Sequence, residues 1–186
     1  MNLPNKLSVL RLILIPVFAA FFYLTAIPYN YVIATAVFVI ASCTDFLDGH
    51  IARKYNLVTN LGKFLDPIAD KVLVSTALIL VAGTSVLFPV VGVISVAVIL
   101  ARELIISGFR QVAAKTGFVM AADKIGKVKT TFQDVSLVAL LLSLQFAEVK
   151  WLNYTGNALL LVATVLTIVS GVHYIVKNRA VLKDPD

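Results

Sequence analysis

Six apolar runs, each close to the length of a membrane crossing, dominate this chain. They cover residues 9–27, 30–47, 67–88, 89–109, 128–147 and 151–176. A helix needs roughly 20 apolar residues to cross the hydrocarbon core, whereas a barrel strand needs about half as many. In lipid a spanning segment must satisfy its own backbone hydrogen bonds, and a helix does so within itself. The composition agrees: 60% of the 186 residues are hydrophobic and 14% are charged. A soluble domain runs nearer half and a quarter. The expectation is an all-α, polytopic membrane bundle of six transmembrane helices, folded as one domain over residues 1–186. Gly83, Thr84, Ser85 and Pro89 mark the turn between the nearly continuous third and fourth runs. Residues 1–8, opening with Asn2-Leu3-Pro4-Asn5, are expected to lie on the membrane surface ahead of the first span. The first run lacks a small-residue cleavage site, so it reads as a retained helix rather than a signal peptide. Cys43 is the only cysteine, which excludes an intramolecular disulfide.

The net charge is +6. Its basic residues sit between apolar runs, which argues for anionic lipid and membrane orientation and against nucleic acid. Assigning the connections alternately to two sides places fifteen of the sixteen Lys and Arg with the two termini, 48–66 and 102–129, once Arg11 and Lys71 at the adjoining helix ends are included, and only Lys150 opposite. The positive-inside rule then makes both termini cytoplasmic, in a cell (inner or plasma) membrane. Tyr29, Tyr31, Trp151 and Tyr154 fall on the other side, as an interfacial aromatic belt would.

The chemistry is concentrated in one stretch, Asp45-x2-Asp48-Gly49-x2-Ala52-Arg53-x8-Gly62-x3-Asp66-x3-Asp70. Half of the chain's eight aspartates lie in these 26 residues. Asp45 and Asp48 are spaced i, i+3 near the end of the second span. Asp66 and Asp70 are spaced i, i+4 at the start of the third. Each pair shares a helix face, and the short connection lets the faces meet. Four converging carboxylates repel one another, and each costs roughly 2.5–3.5 kcal/mol at a helix centre in lipid. Two divalent cations would cancel the charge, and carboxylate oxygens suit Mg²⁺, Mn²⁺ or Ca²⁺. A solvated polar cap neutralised by Arg53, Lys63 and Lys71 is the bland alternative. It accounts for one aspartate at a helix end better than for four at matched spacing. Gly49 and Gly62 leave room for close backbone approach to a phosphate, and the Arg53 fork suits a pyrophosphate.

This stretch resembles the signature of the CDP-alcohol phosphatidyltransferase family at all eight specified positions and every spacing. Further stretches resemble the bacterial branch that uses sn-glycerol 3-phosphate. They are Asn2 to Ser8, Phe64-Leu65-Asp66-Pro67 through Asp70-Lys71, Ala101-Arg102-Glu103 through Ser107-Gly108-Phe109-Arg110, and Gly126-Lys127-Val128-Lys129-Thr130. The resemblance implies that Asp45, Asp48, Asp66 and Asp70 hold two metal ions, Mg²⁺ or Mn²⁺. It implies that Asp45, Gly49, Arg53 and Gly62 bind CDP-diacylglycerol, and that Asp70 is the catalytic base. It also implies transfer of the phosphatidyl group to sn-glycerol 3-phosphate, giving phosphatidylglycerol phosphate and CMP, by a homodimer within membrane lipid.

A phosphorylated acceptor needs positive charge near the aspartates. Arg102, Arg110, Lys127 and Lys129 are the candidates, with Thr130 beside them and Ser8 and Arg11 able to complete the pocket. Lys127, Thr130 and Asp134 recur at i, i+3 and i+7 and are expected on one face. Snorkelling and positive-inside anchoring compete for the same basic residues. Two other functions remain open on the residues alone. One is the same transfer to another acceptor, such as phosphatidylglycerol, inositol phosphate or serine. The other is divalent-cation transport, against which the aspartates lie near helix ends and Arg53 sits among them.

Overall fold

The computed structural model describes residues 3–54, 60–115 and 124–178. Within them the side chains of 3–4, 45–54, 60–61, 63–64, 66–67, 112, 114–115 and 124–125 lie outside the description. Among the described residues the regular structure is six α-helices: α1 (Leu3–Tyr23), α2 (Asn30–Lys54), α3 (Asn60–Ala82), α4 (Val91–Lys115), α5 (Lys124–Gln145) and α6 (Lys150–Lys177). The expected all-α bundle is the observed one.

The helices depart from the apolar runs at their ends, for local reasons. Leu3–Ser8, expected as a separate surface segment, form the first turns of α1. Pro4 is tolerated there because a first-turn residue has no intrahelical N–H bond to lose. At its other end α1 stops at Tyr23, although apolar residues continue to Ile27. The Asn30 amide accounts for the stop, because Nδ2 donates to the terminal carbonyls of Phe21 and Phe22, each at 3.2 Å. The α3–α4 turn falls where Gly83 to Pro89 predicted it. Asn157 of α6 clamps it, with Nδ2 donating to Val86 O at 3.0 Å and Oδ1 accepting from Phe88 N at 2.8 Å.

Among the described residues, three helices are long and apolar enough to cross a membrane by length and composition: Asn5–Tyr23, Val91–Gln111 and Lys150–Lys177, at mean hydropathies of 1.8, 2.0 and 2.2. Within the described side chains of α2 the apolar stretch is Asn30–Thr44, and Asp45 follows it in the sequence. Both α3 and α5 begin among charged residues.

One core joins the bundle, built on Phe18, Phe38, Leu73, Leu78, Leu140 and Leu160. α1 packs on α2 and α3, α2 also on α3 and α5, and α4 on α6. α5 and α6 approach closely at Gly156, where a Cβ would stand 2.8 Å from Leu140 Cγ. The Ser136 hydroxyl donates across that gap to Gly156 O at 2.7 Å. Small residues and short hydrogen bonds are what hold helices together where lipid removes the hydrophobic drive between them. Large apolar side chains such as Ile13, Ile40, Ile79, Ile94, Leu104 and Val165 are left exposed on the outside, as a lipid surround requires. Tyr29, Trp151 and Tyr154 are also exposed, whereas Tyr31 packs on Phe22 with ring centroids 5.4 Å apart.

Candidate active site

Continuous helix carries both halves of the aspartate motif. Asp45, Asp48, Gly49 and Arg53 lie in the last turns of α2, and Asp66 and Asp70 in the first half of α3. The two helices pack against each other. The side chains of Asp45, Asp48, Asp66 and Arg53 lie outside the described residues. Gly62 is buried and Asp70 is half-buried.

Asp70 lines a crevice between α3, α4 and α5, together with Lys71, Glu103, Lys129, Thr130 and Gln133. The crevice holds about 30 Å³, roughly the share of one water molecule. Glu103 organises its basic side. Its Oε1 accepts from Lys129 Nζ at 2.5 Å and from Arg102 Nη1 at 3.2 Å. Lys129 is 2% exposed and Glu103 25%. An ammonium that deep has to be paired, because an isolated buried charge costs several kcal/mol. Ser107, one turn along α4, donates to the Glu103 carbonyl at 2.5 Å and receives a bond from Lys71 Nζ. Glu103 and Ser107 therefore tie basic residues of α3, α4 and α5 into one network beside Asp70.

The expected acceptor residues separate into groups. Arg102, Lys129 and Thr130 meet around the crevice and Glu103. Arg102 continues to α6, where Nη2 donates to Ser170 Oγ at 3.2 Å. Its Nε is buried with no hydrogen-bond partner among the described residues. Arg110, two turns further along α4, donates through Nε to Tyr174 Oη at 3.0 Å. Lys127 is exposed. Ser8 and Arg11 are fully buried and do not line the crevice, and Arg11 Nε donates to Ala41 O at 3.1 Å, one turn before Asp45. Lys127, Thr130 and Asp134, expected on one face, meet different surroundings. Asp134 opens into an apolar cavity of about 230 Å³ with Phe38, Ser42 and Val138.

A larger cavity of about 400 Å³ lies at the other end of the bundle, lined by Ser85, Ser143, Lys150, Asn153 and Tyr154. Among the described residues that line it, none is a carboxylate.

Sequence reasoning missed Lys71, Ser107, Ser170 and Tyr174 as site residues, and did not single out Glu103 as a residue with two basic partners. The local partner is Arg102, and Lys129, 26 residues away, is the second.

A sequence model of the CDP-alcohol phosphatidyltransferase family matches residues 1–169. A Bacillus subtilis protein called CDP-diacylglycerol–glycerol-3-phosphate 3-phosphatidyltransferase is 43% identical over 98% of this chain and 97% of its own length. Proteins of the same description from Escherichia coli K12 and Rickettsia bellii are 42% and 40% identical, over 98% and 93% of both chains. With the aspartate motif on α2 and α3 and a match this long, the chain belongs to the CDP-alcohol phosphatidyltransferase family.

Proposed function

We propose that this membrane protein transfers the phosphatidyl group of CDP-diacylglycerol to sn-glycerol 3-phosphate, releasing CMP and phosphatidylglycerol phosphate. The observation that carries the reading is the crevice where Asp70 meets basic residues of three helices, through Lys71, Lys129 and the Glu103-held Arg102. An acidic side for a metal-bound diphosphate and a basic side for a phosphorylated acceptor are what this reaction requires. An uncharged acceptor would not need the second. The relatives are named for the same donor and acceptor.

The residues fit a divalent metal site. Asp45, Asp48, Asp66 and Asp70 offer only carboxylate oxygens, the donors Mg²⁺ and Mn²⁺ take. Two bound ions would neutralise the diphosphate and the charge on leaving CMP. The remaining work falls to the chain. Arg53, with Gly49 and Gly62, holds the cytidine diphosphate, and the Arg102 and Arg110 guanidiniums hold the acceptor phosphate. Thr130, on the crevice wall, is assigned to the glycerol hydroxyls. Asp70 receives the proton of the acceptor hydroxyl as its oxygen bonds to the phosphorus bearing diacylglycerol and the bond from that phosphorus to the CMP oxygen breaks. The crevice is too small for a glycerol phosphate, so the acceptor binds across its mouth, oriented by the basic side chains.

The fifteen-to-one division of Lys and Arg supports a multi-pass topology in the cell membrane, with the site and both termini cytoplasmic. The family resemblance supports a homodimer. The deciding experiment offers purified protein and labelled CDP-diacylglycerol a panel of acceptors, with and without Mg²⁺ or Mn²⁺. Labelled phosphatidylglycerol phosphate should form from glycerol 3-phosphate alone and only with metal. A product from serine or inositol phosphate instead would overturn the acceptor assignment.

A further inference from the structure

We infer that Tyr174 of α6 is a positioning residue for the acceptor, holding the Arg110 guanidinium in the orientation that receives the acceptor phosphate. The inference rests on the reading of Arg110 as an acceptor ligand.

Arg110 occupies an exposed position on α4, where a long side chain is otherwise free to sample many rotamers. Two contacts with one residue restrict it. Arg110 Nε donates to Tyr174 Oη at 3.0 Å, and the guanidinium carbon lies 5.2 Å from the Tyr174 ring centroid. A bond through Nε leaves the edge formed by Nη1 and Nη2, a pair of donors that a phosphate takes bidentately.

The tyrosine is itself fixed. It is 3% exposed and packs with Ile106, Phe109 and Ile175 in a cluster separate from the main core. Its ring meets Phe109 edge-on at 6.3 Å. A buried tyrosine hydroxyl needs a polar partner, and any nearby carbonyl would serve. Here the partner is a cation expected to bind substrate.

The adjacent positions of α6 treat the other arginine of α4 in the same way. Ser170, one turn before Tyr174, accepts from Arg102 Nη2 at 3.2 Å. At Gly171 a Cβ would stand 3.2 Å from Arg102 Cγ, so the glycine makes room for that side chain to pass. Ser170, Gly171 and Tyr174 thus brace both arginines from one short stretch. The family match ends at residue 169, so this brace lies beyond what the match describes.

Tyr174→Phe removes the hydroxyl and keeps the ring. Two-substrate kinetics on the purified protein should show the acceptor KM raised about three- to tenfold, the ordering cost of one long side chain. Both kcat and the KM for CDP-diacylglycerol should stay within about twofold. The same substitution made on Arg110→Lys, which has no Nε–H to hold, should add almost nothing. An unchanged acceptor KM in Tyr174→Phe, with Arg110→Ala still impaired, would overturn the inference and leave Arg110 as an acceptor ligand. Equal loss for both substrates would also overturn it, by making Tyr174 a packing residue. If Arg110→Ala itself leaves acceptor use unchanged, the underlying assignment of Arg110 falls first.

Discussion

The two sides of the site are assembled from opposite kinds of sequence information. The acidic side is one string: four aspartates within 26 residues, on two helices joined by residues 55–59. The basic side is scattered over four helices. Lys71 reaches Ser107 across 36 residues, Lys129 reaches Glu103 across 26, and Arg102 and Arg110 reach Ser170 and Tyr174 across 68 and 64. On the proposed function, the difference follows from what each side would bind. Metal ions need several oxygens at one point, and i, i+3 and i, i+4 spacing on two neighbouring helices delivers them. A phosphate needs oriented cations, and here Glu103, Ser107, Ser170 and Tyr174 are the groups that hold them.

The largest effect should come from the acidic side. Asp70→Asn keeps the size of the side chain but removes its charge and its capacity to take a proton. CMP release from the purified variant should fall by about a thousandfold or more, since general-base catalysis alone contributes 10²–10⁴. Exhaustive chelation should abolish transfer as completely, and added Mg²⁺ or Mn²⁺ should restore it. Turnover near that of the parent in either case would remove the contrast between the two sides, because the carboxylates would then be a polar cap.

On the basic side, Glu103 should matter for stability before it matters for chemistry. Glu103→Ala leaves the Lys129 ammonium, 2% exposed, without its carboxylate. Removing one member of a buried pair costs about 3–5 kcal/mol, and the lower end applies because a quarter of the Glu103 side chain reaches solvent. Replacing both, as Glu103→Leu with Lys129→Met, should recover much of that stability, since an apolar pair avoids the desolvation of two charges. Thermal unfolding in detergent reads both variants. The recovered double variant should still use the acceptor poorly, because Arg102 has lost the carboxylate that orients it. A single variant as stable as the parent would mean that Lys129 finds another partner and that Glu103 organises nothing.

How far the sequence could be read follows the same division. The six helices and the motif were legible because each signal is local: apolar length, Pro and Gly at a turn, carboxylates at helical spacing. Helix ends were less legible. The i→i−4 bonds continue through Lys124 to Lys129 whether or not the residues are apolar, so α5 starts before its apolar run. The Asn30 amide stops α1 inside its own. The partners of the basic residues were not legible, because they depend on how each helix is rotated against its neighbours. Nothing in a seven-residue window distinguishes Lys127, which is exposed, from Lys129, which is buried.

Lys127 set against Arg110 gives the finest test of the contrast. Arg110→Ala removes a cation held by Tyr174. A charge-assisted hydrogen bond is worth about 1.5–3 kcal/mol, so kcat/KM for the acceptor should fall about ten- to hundredfold, with little change for CDP-diacylglycerol. Lys127→Ala removes a cation that the structure leaves on the exposed face of α5. Two residues along a helix is a rotation of about 200°, so Lys127 points away from the side that carries Lys129 into the crevice. Its attraction for an anionic acceptor acts through solvent, where a charge pair contributes about 0–1 kcal/mol. The loss in acceptor kcat/KM should be no more than about threefold, and it should shrink further as added salt shortens the screening length. Two-substrate kinetics at low and high ionic strength measures both variants side by side. A loss at Lys127 as large as at Arg110, and insensitive to salt, would mean that the acceptor phosphate reaches that face of α5, and the basic side would have to be redrawn around it.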